Sequence, residues 1–447
     1  MRADEAQPPV TGRPATELRA LLVLAAPLAL MQLAQSGIAA INTGYAAPLG
    51  AIEQSGIGLG NSILFAVKVL GMGMVLGFDP LFAQAFGAGE ERAAGHYAWQ
   101  ALWLALLVSV PVVGLVLGAA LVLPDIGLDP ETAESTARYC LARIPGVVPF
   151  LVGVAARGYL QAQGTIRPLL IGSVLAVILN AAVAKVLIVG GWGFEGMGAR
   201  GAGWASSLAS AVMTGAMLVG VGRVPGDRRP DRGALMRATR LGLPLSGQLF
   251  AEVGMFSLVT LLVGYFGPVQ LAAHHVALTL ASLTFQVTIA IGSAGSVRVG
   301  RAVGQGDVHG TRVAGFTALG LGLALMVVSS TVFWSVPGEL VGILIDDPDA
   351  AAAAVVLLRV AAVFQIVDGA QAVGAGILRG AGDTTPVFWA NVGGHYLVGL
   401  PVGLGLAYGL GLGPVGLWWG LSTGLALVAL TLALRFHRIS RRPILRS

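Results

Sequence analysis

Apolar residues run through this chain in long unbroken stretches separated by short polar connections, without the ten-residue alternation that a transmembrane β-barrel requires. Stretches of about 20 residues or more can cross a hydrocarbon core of about 30 Å as helices rising 1.5 Å per residue. Twelve such spans are read, at 18–43, 56–83, 96–123, 136–157, 167–190, 201–222, 238–264, 274–298, 312–336, 352–377, 385–408 and 414–436. Hydrocarbon offers no partner to an open backbone N–H or C=O, so continuous apolar runs predict helices. The expected class is an all-α integral membrane protein with twelve transmembrane helices.

Composition supports this and narrows it. The 447 residues are 55% hydrophobic and 11% charged, against about a quarter charged in a soluble domain. The polar start "MRADEAQPPVTGRPATE" has no apolar core of a signal peptide, so the first span is expected to remain a membrane helix. A lone cysteine, Cys140, excludes an intramolecular disulfide and reads as a packed thiol.

Arginine distribution gives an orientation. The start carries Arg2, Arg13 and Arg19, and connections in the same register carry Arg92, Arg157, Arg167, Arg298, Arg301, Arg312 and Arg379. The richest segments are "GRVPGDRRPDRGALMRATR" after the sixth span and the tail "RFHRISRRPILRS". Both termini and the mid-chain connection are thus expected in the cytoplasm, in a cytoplasmic (inner) membrane; Arg200 lies on the opposite side as an exception. The net charge of +5 reflects this orientation, and a nucleic-acid partner has no surface domain on which to rest.

The arginine-rich connection divides the spans six and six. Expected boundaries are a cytoplasmic tail over 1–17, an N-lobe over 18–222, a linker over 223–237, a C-lobe over 238–436 and a basic tail over 437–447. The halves resemble each other. "QAFGAGE" from Gln84 parallels "RAVGQGD" from Arg301, and "GYLQAQGTIRP" from Gly158 parallels "GILRGAGDTTP" from Gly376, at offsets of 217 (304 − 87) and 218 (382 − 164). Parallel repeats with an even number of spans are transporter architecture, with a substrate or ion site expected at mid-depth. Of the 65 glycines most are expected to serve packing, as in the spacings Gly73 to Gly77 and Gly405 to Gly409.

Few carboxylates fall inside spans: Asp79 near the end of the second, Glu252 in the seventh and Asp368 in the tenth. A charge at the bilayer centre costs roughly 2.5–3.5 kcal/mol or more, so such residues usually face a cavity, a partner or an ion. Gln248 and Glu252 share one helix face, as do Phe364, Gln365, Asp368 and Gln371. Either carboxylate suits exchange of a proton or retention of Na⁺ among amide and hydroxyl oxygens; the structural alternative is a buried hydrogen bond, or an ion pair with Lys68 or Lys185, the two lysines. Arg143 and Arg359, at nearly symmetric places in the halves, read as structural residues snorkelling to the ends of their spans.

Enzyme motifs fail on context. No lysine completes a phosphate-binding loop, no histidine begins H-E-x-x-H, and "GLSTG" from Gly420 lies in the twelfth span without the strand–turn–helix of a nucleophile elbow. His274 and His275 read as hydrogen-bonding residues rather than metal ligands.

The segments "GFDPLFAQAFGAG" from Gly77, "LPLSGQLFAEVGMFSLVTLLVGYFGPVQLAAHHVAL" from Leu243, "VRVGRAVGQGD" from Val297 and "FQIVDGAQAVGAGILRGAGDTTPVFWANVGGHYLVGLP" from Phe364 carry a resemblance covering nearly all of the chain. It is to the multidrug and toxic compound extrusion (MATE) transporters, most closely their NorM-type bacterial branch. The resemblance implies two pseudo-symmetric six-helix lobes around a V-shaped cavity and export of small cationic or amphipathic compounds in exchange for Na⁺ or H⁺, by a monomer needing no cofactor. Glu252 and Asp368 resemble the family's C-lobe acids linked to cation coupling, with Na⁺ as the metal they would hold. Asn42 stands where many relatives carry Asp, and Asn180 matches a fifth-helix polar residue whose usual second partner is here Ala184, with Lys185 beside it. Gln35, Asn42, Asn180, Lys185, Gln248, Phe364, Gln371, Trp389 and Tyr396 are the remaining candidates for lining a substrate or ion cavity. The rival readings are a flippase for lipid-linked intermediates or a dedicated metabolite exporter, for which Lys68 and Lys185 would supply basic charge, and more remotely a membrane-embedded enzyme.

Overall fold

The structure, a computed structural model, describes Val10 and residues 12–447 apart from positions 126 and 192. The tail expected over 1–17 therefore lies outside the described residues up to residue 9 and at residue 11. Eleven helices among the described residues are long and apolar enough to cross a membrane: α1 Pro14–Leu49, α2 Ala51–Gly87, α3 Glu91–Asp125, α4 Pro130–Gln163, α5 Arg167–Val189, α6 Gly198–Val221, α7 Arg232–Gly264, α8 Pro268–Gln305, α9 Val308–Ser335, α10 Pro348–Gly380 and, last in the chain, α12 Pro414–Ile439. The remaining expected span is α11, residues 385–409, an α-helix interrupted by two π-helical segments at Gly393–Gly399 and Gly405–Gly409. Pro401 cannot donate to a helical carbonyl, and the wider turn is visible in the bond from Leu410 N to Gly405 O, five residues back, at 3.1 Å.

Internal repetition reaches the level of helix caps. Gly50 and Gly267, with φ of 105° and 99°, precede α2 and its counterpart in the second repeat, α8. Asp129 and Asp347, each followed by proline, cap α4 and α10 by accepting the backbone N–H of Thr132 at 2.9 Å and of Ala350 at 2.8 Å. Their spacing, 347 − 129 = 218, matches the sequence repeat. Asp129 lies outside the membrane spans, and the Thr132 backbone N–H, then its hydroxyl, hold its carboxyl below the usual range. That cap is therefore fully formed above about pH 4 and weakens as pH falls through the lowered value.

The chain forms two compact units, one of Leu30–Ser246 and one joining the N-terminal stretch through Ala29 to Gly247–Ser447. In the first, the early half of α7 lies against α2 through small residues. A Cβ added at Gly73 would stand 2.4 Å from Ser246 Cα, and one at Gly77 would stand 2.2 Å from Ala238 O. In the second, Gly376 and Gly380 bring α10 onto α8, where added Cβ atoms would meet Gly292 O at 2.3 Å and Ser296 O at 2.1 Å. Apolar side chains gain little by leaving lipid for another helix, so close backbone approach supplies the packing energy instead. The expectation fails at Gly405 and Gly409, where an added Cβ meets nothing within 4 Å. These two glycines lie in the second π-helical segment, and α11 packs on α12 through Gly394, Gly399 and Gly403 instead.

Arg143 also departs from expectation. Because α4 begins at Pro130, Arg143 lies 143 − 130 = 13 residues into a 34-residue span, and it is buried rather than snorkelling. Its counterpart Arg359 is exposed.

In the second unit, Arg298 of α8 grips Glu17 of α1 through two bonds, Nε to Oε2 at 2.9 Å and Nη2 to Oε1 at 2.6 Å, with both side chains fully buried. Removing one partner leaves the other charge buried and unmatched. Glu17→Gln and Arg298→Gln are each expected to destabilise the protein by about 3–5 kcal/mol, read as a clear fall in thermal melting temperature in detergent. Melting unchanged from wild type would show that the pair adds nothing.

Candidate functional site

The second unit gathers most of the predicted C-lobe residues. On α7, Gln248 and Glu252 are one turn apart and hydrogen-bonded. On α10, Gln365, Asp368 and Gln371 lie on the buried side. Gln371 joins the helices: its Nε2 donates to Glu252 Oε1 at 2.5 Å and to Asn391 Oδ1 of α11 at 3.2 Å. Asn391 in turn donates to Val387 O at 2.9 Å, which fixes its amide and presents its oxygen to Gln371. Glu252 is partly exposed and Asp368 is 8% exposed, and the two carboxylates act on each other electrostatically. Two like charges in electrostatic reach of each other at low dielectric are hard to hold together unless a proton or cation joins them.

Around this pair the other candidates separate by role. Phe364 is a packing residue, with its ring edge-to-face against Phe256 at 6.1 Å and Trp418 at 5.3 Å. Tyr396 donates its hydroxyl to Ala251 O at 2.8 Å, one residue before Glu252. Trp389 is 63% exposed, and its ring lies 4.9 Å from that of Phe388. Gln365 turns away from Asp368, its Oε1 receiving Thr284 Oγ1 at 2.6 Å and Ser329 Oγ at 2.9 Å.

His274 belongs to a separate buried chain in which Trp418 Nε1 donates to its Nδ1 at 3.1 Å and its Nε2 lies 2.9 Å from Thr260 Oγ1. With Nδ1 accepting, the ring carries its proton on Nε2 and donates to Thr260, a hydrogen-bonding role as expected. Among the described residues no cluster of three or more His, Cys, Asp or Glu could hold a metal ion. A cation at Glu252 and Asp368 would therefore draw on carboxylate and amide oxygens alone, a donor set suited to a hard ion such as Na⁺ and not to a transition metal.

The first unit holds the remaining candidates. Asn42 donates to Ser206 Oγ at 2.7 Å, while its Oδ1 has no partner. Asn180 is fully buried with neither amide atom bonded. Gln35 is partly exposed and Lys185 is exposed on α5. Sequence reasoning missed Asn391, whose signal was a lone amide in an apolar run, and Arg143, hidden by a span begun six residues late.

Twelve apolar helices in two repeated sets, with two carboxylates within electrostatic reach of each other in one, define a polytopic helical membrane protein of two-lobed transporter architecture. The MatE family model matches residues 27–186 and 244–404, two segments separated by 217 residues at their starts, and the chain belongs to this family. It is 35% identical over 443 residues to a probable multidrug resistance protein NorM of Rhizobium meliloti, covering 96% of this chain and 94% of the relative. A probable multidrug resistance protein NorM of Burkholderia mallei is 37% identical over 459 residues, covering 98% and 96%. The crystal structure of the eukaryotic MATE transporter AtDTX14 matches with a TM-score of 0.85 at 20% identity, covering 97% of this chain and all of that one, a likeness of fold.

Packing alone accounts for Phe364. Phe364→Ala is expected to cost about 3–5 kcal/mol, observed as a lowered melting temperature. A variant that melts like the wild type would overturn the packing role.

Proposed function

We propose that this protein is a secondary active efflux transporter of the cytoplasmic membrane, expelling small cationic or amphipathic organic compounds in exchange for Na⁺ or H⁺. The observation that carries the reading is the meeting of Glu252 and Asp368 at membrane depth among the amides of Gln248 and Gln371. Supporting it are the family and the multidrug-resistance names of relatives similar over nearly the whole length. The arginine pattern supports cytoplasmic termini, and the protein acts as a monomer.

An incoming cation binds between the carboxylates and relieves their repulsion. Gln371 keeps Glu252 oriented, and Asn391 orients Gln371. Coupling requires that the ion-bound and ion-free forms favour different conformations, because a ligand shifts an equilibrium only by its differential affinity. Cargo and ion then alternate, one leaving as the other enters.

The test is ethidium efflux from membrane vesicles under separately imposed Na⁺ and H⁺ gradients. Glu252→Gln and Asp368→Asn are each expected to lower gradient-driven efflux by about tenfold or more while inserting at wild-type levels. Whichever gradient drives the wild type identifies the ion. Equal pumping by both variants and the wild type would remove the carboxylates from coupling.

A further inference from the structure

The interior of the first unit carries the opposite charge. Arg143 of α4 is 9% exposed, and its Nε and Nη1 have no hydrogen-bond partner. Lys68 of α2 lies within electrostatic reach of Arg143, and its ammonium sits 4.7 Å from the centre of the Phe150 ring. Both lie well inside their spans: Arg143 is 13 residues past Pro130, where the α-helix gives way to a 3-10 turn at Ile144–Gly146, and Lys68 is 68 − 51 = 17 residues past Ala51, about 20 and 25 Å along the axis. The ion pairs that Glu134 and Asp231 of this unit make go elsewhere, to Arg138 and His96. Glu53, on the same helix as Lys68, accepts from Ala199 N and Ser135 Oγ.

Two cations within electrostatic reach repel each other, and the burial of Arg143 strips its hydration, a cost that persists only where something compensates it. The ring of Phe150 offsets part of the cost at Lys68. Among the described residues the Arg143 Nε and Nη1 have no hydrogen-bond partner, and a guanidinium's geometry suits a carboxylate. Neutral polar groups continue from it. Tyr139 stands one turn before Arg143 and is hydrogen-bonded to Ser206, which receives Asn42 Nδ2. This series ends on hydroxyls and amides, able to complete the coordination of an anion without competing negative charge.

We propose that Lys68 and Arg143 form a carboxylate-binding site inside the first unit, taking the carboxylate of a small organic acid or of a cargo molecule that bears one. Lys68, which remains partly exposed, makes the first contact, and Arg143 supplies the deeper charge. The site is separate in composition from the carboxylate pair of the second unit, so its occupancy does not depend on the ion-exchange reading.

The experiment is equilibrium binding of radiolabelled benzoate to the purified full chain in nanodiscs, in a chloride-free buffer. Saturable binding is expected, and Lys68→Gln and Arg143→Gln should each weaken it by about tenfold or more. Arg143→Lys should recover part of the loss. Asn42→Asp preserves size and places a carboxylate near the site, and should weaken binding as strongly while melting normally. Arg359→Gln, at the exposed matching position of the second unit, should bind as the wild type does. Absence of saturable binding, undiminished binding by folded Arg143→Gln and Asn42→Asp, or binding of chloride or inorganic phosphate without benzoate would each overturn the assignment.

Discussion

Burying charge in a low-dielectric interior is the constraint on which this structure turns. An ion removed from water needs a partner of opposite sign, a dense set of dipoles or a ligand. Glu17 and Arg298 meet through two charge-assisted bonds with both side chains fully buried. Glu252 and Asp368 are carboxylates within electrostatic reach of each other, and Glu252 accepts from the Gln371 amide. Lys68 and Arg143 are the inverse case.

Packing follows a related economy. Helices surrounded by lipid cannot rely on apolar burial to draw them together, so α10 meets α8, and α2 meets the start of α7, where side chains are smallest. These contacts are backbone against backbone at Gly376, Gly380, Gly73 and Gly77. The arrangement places Asp368, two turns before Gly376, on a helix anchored at its far end. The buried face of α10 therefore has a defined rotation, and Gln371 reaches both Glu252 and Asn391 from it.

Much of this was legible in the residues because membrane helices advertise themselves by length and apolar continuity. The twelve spans, the repeat and the singling out of Glu252 and Asp368 all follow from a pattern that tolerates few polar residues. Less legible was anything that depended on where a helix begins. Pro130 and the Asp129 cap extend α4 beyond its apolar run, and that extension converts Arg143 from an end residue to a central one. Pairings distant in sequence were equally hidden: a glutamate in the first polar turns of the chain gives no sign of bonding to Arg298, nor an isolated Asn391 of holding Gln371. Phe364 was a candidate for lining a cavity, and its neighbours Phe256 and Trp418 show that it packs.

The π-helical stretches of α11 carry a consequence for how this sequence can change over generations. In an ordinary helix, loss or gain of one residue turns everything beyond it by about 100° and ruins the packed face. Where carbonyls already bond five residues ahead, a lost residue can be absorbed by tightening one wide turn to an ordinary one, and the glycines facing α12 keep their bearing. Single-residue insertions and deletions, lethal in most membrane helices, have in α11 a segment that can accommodate them.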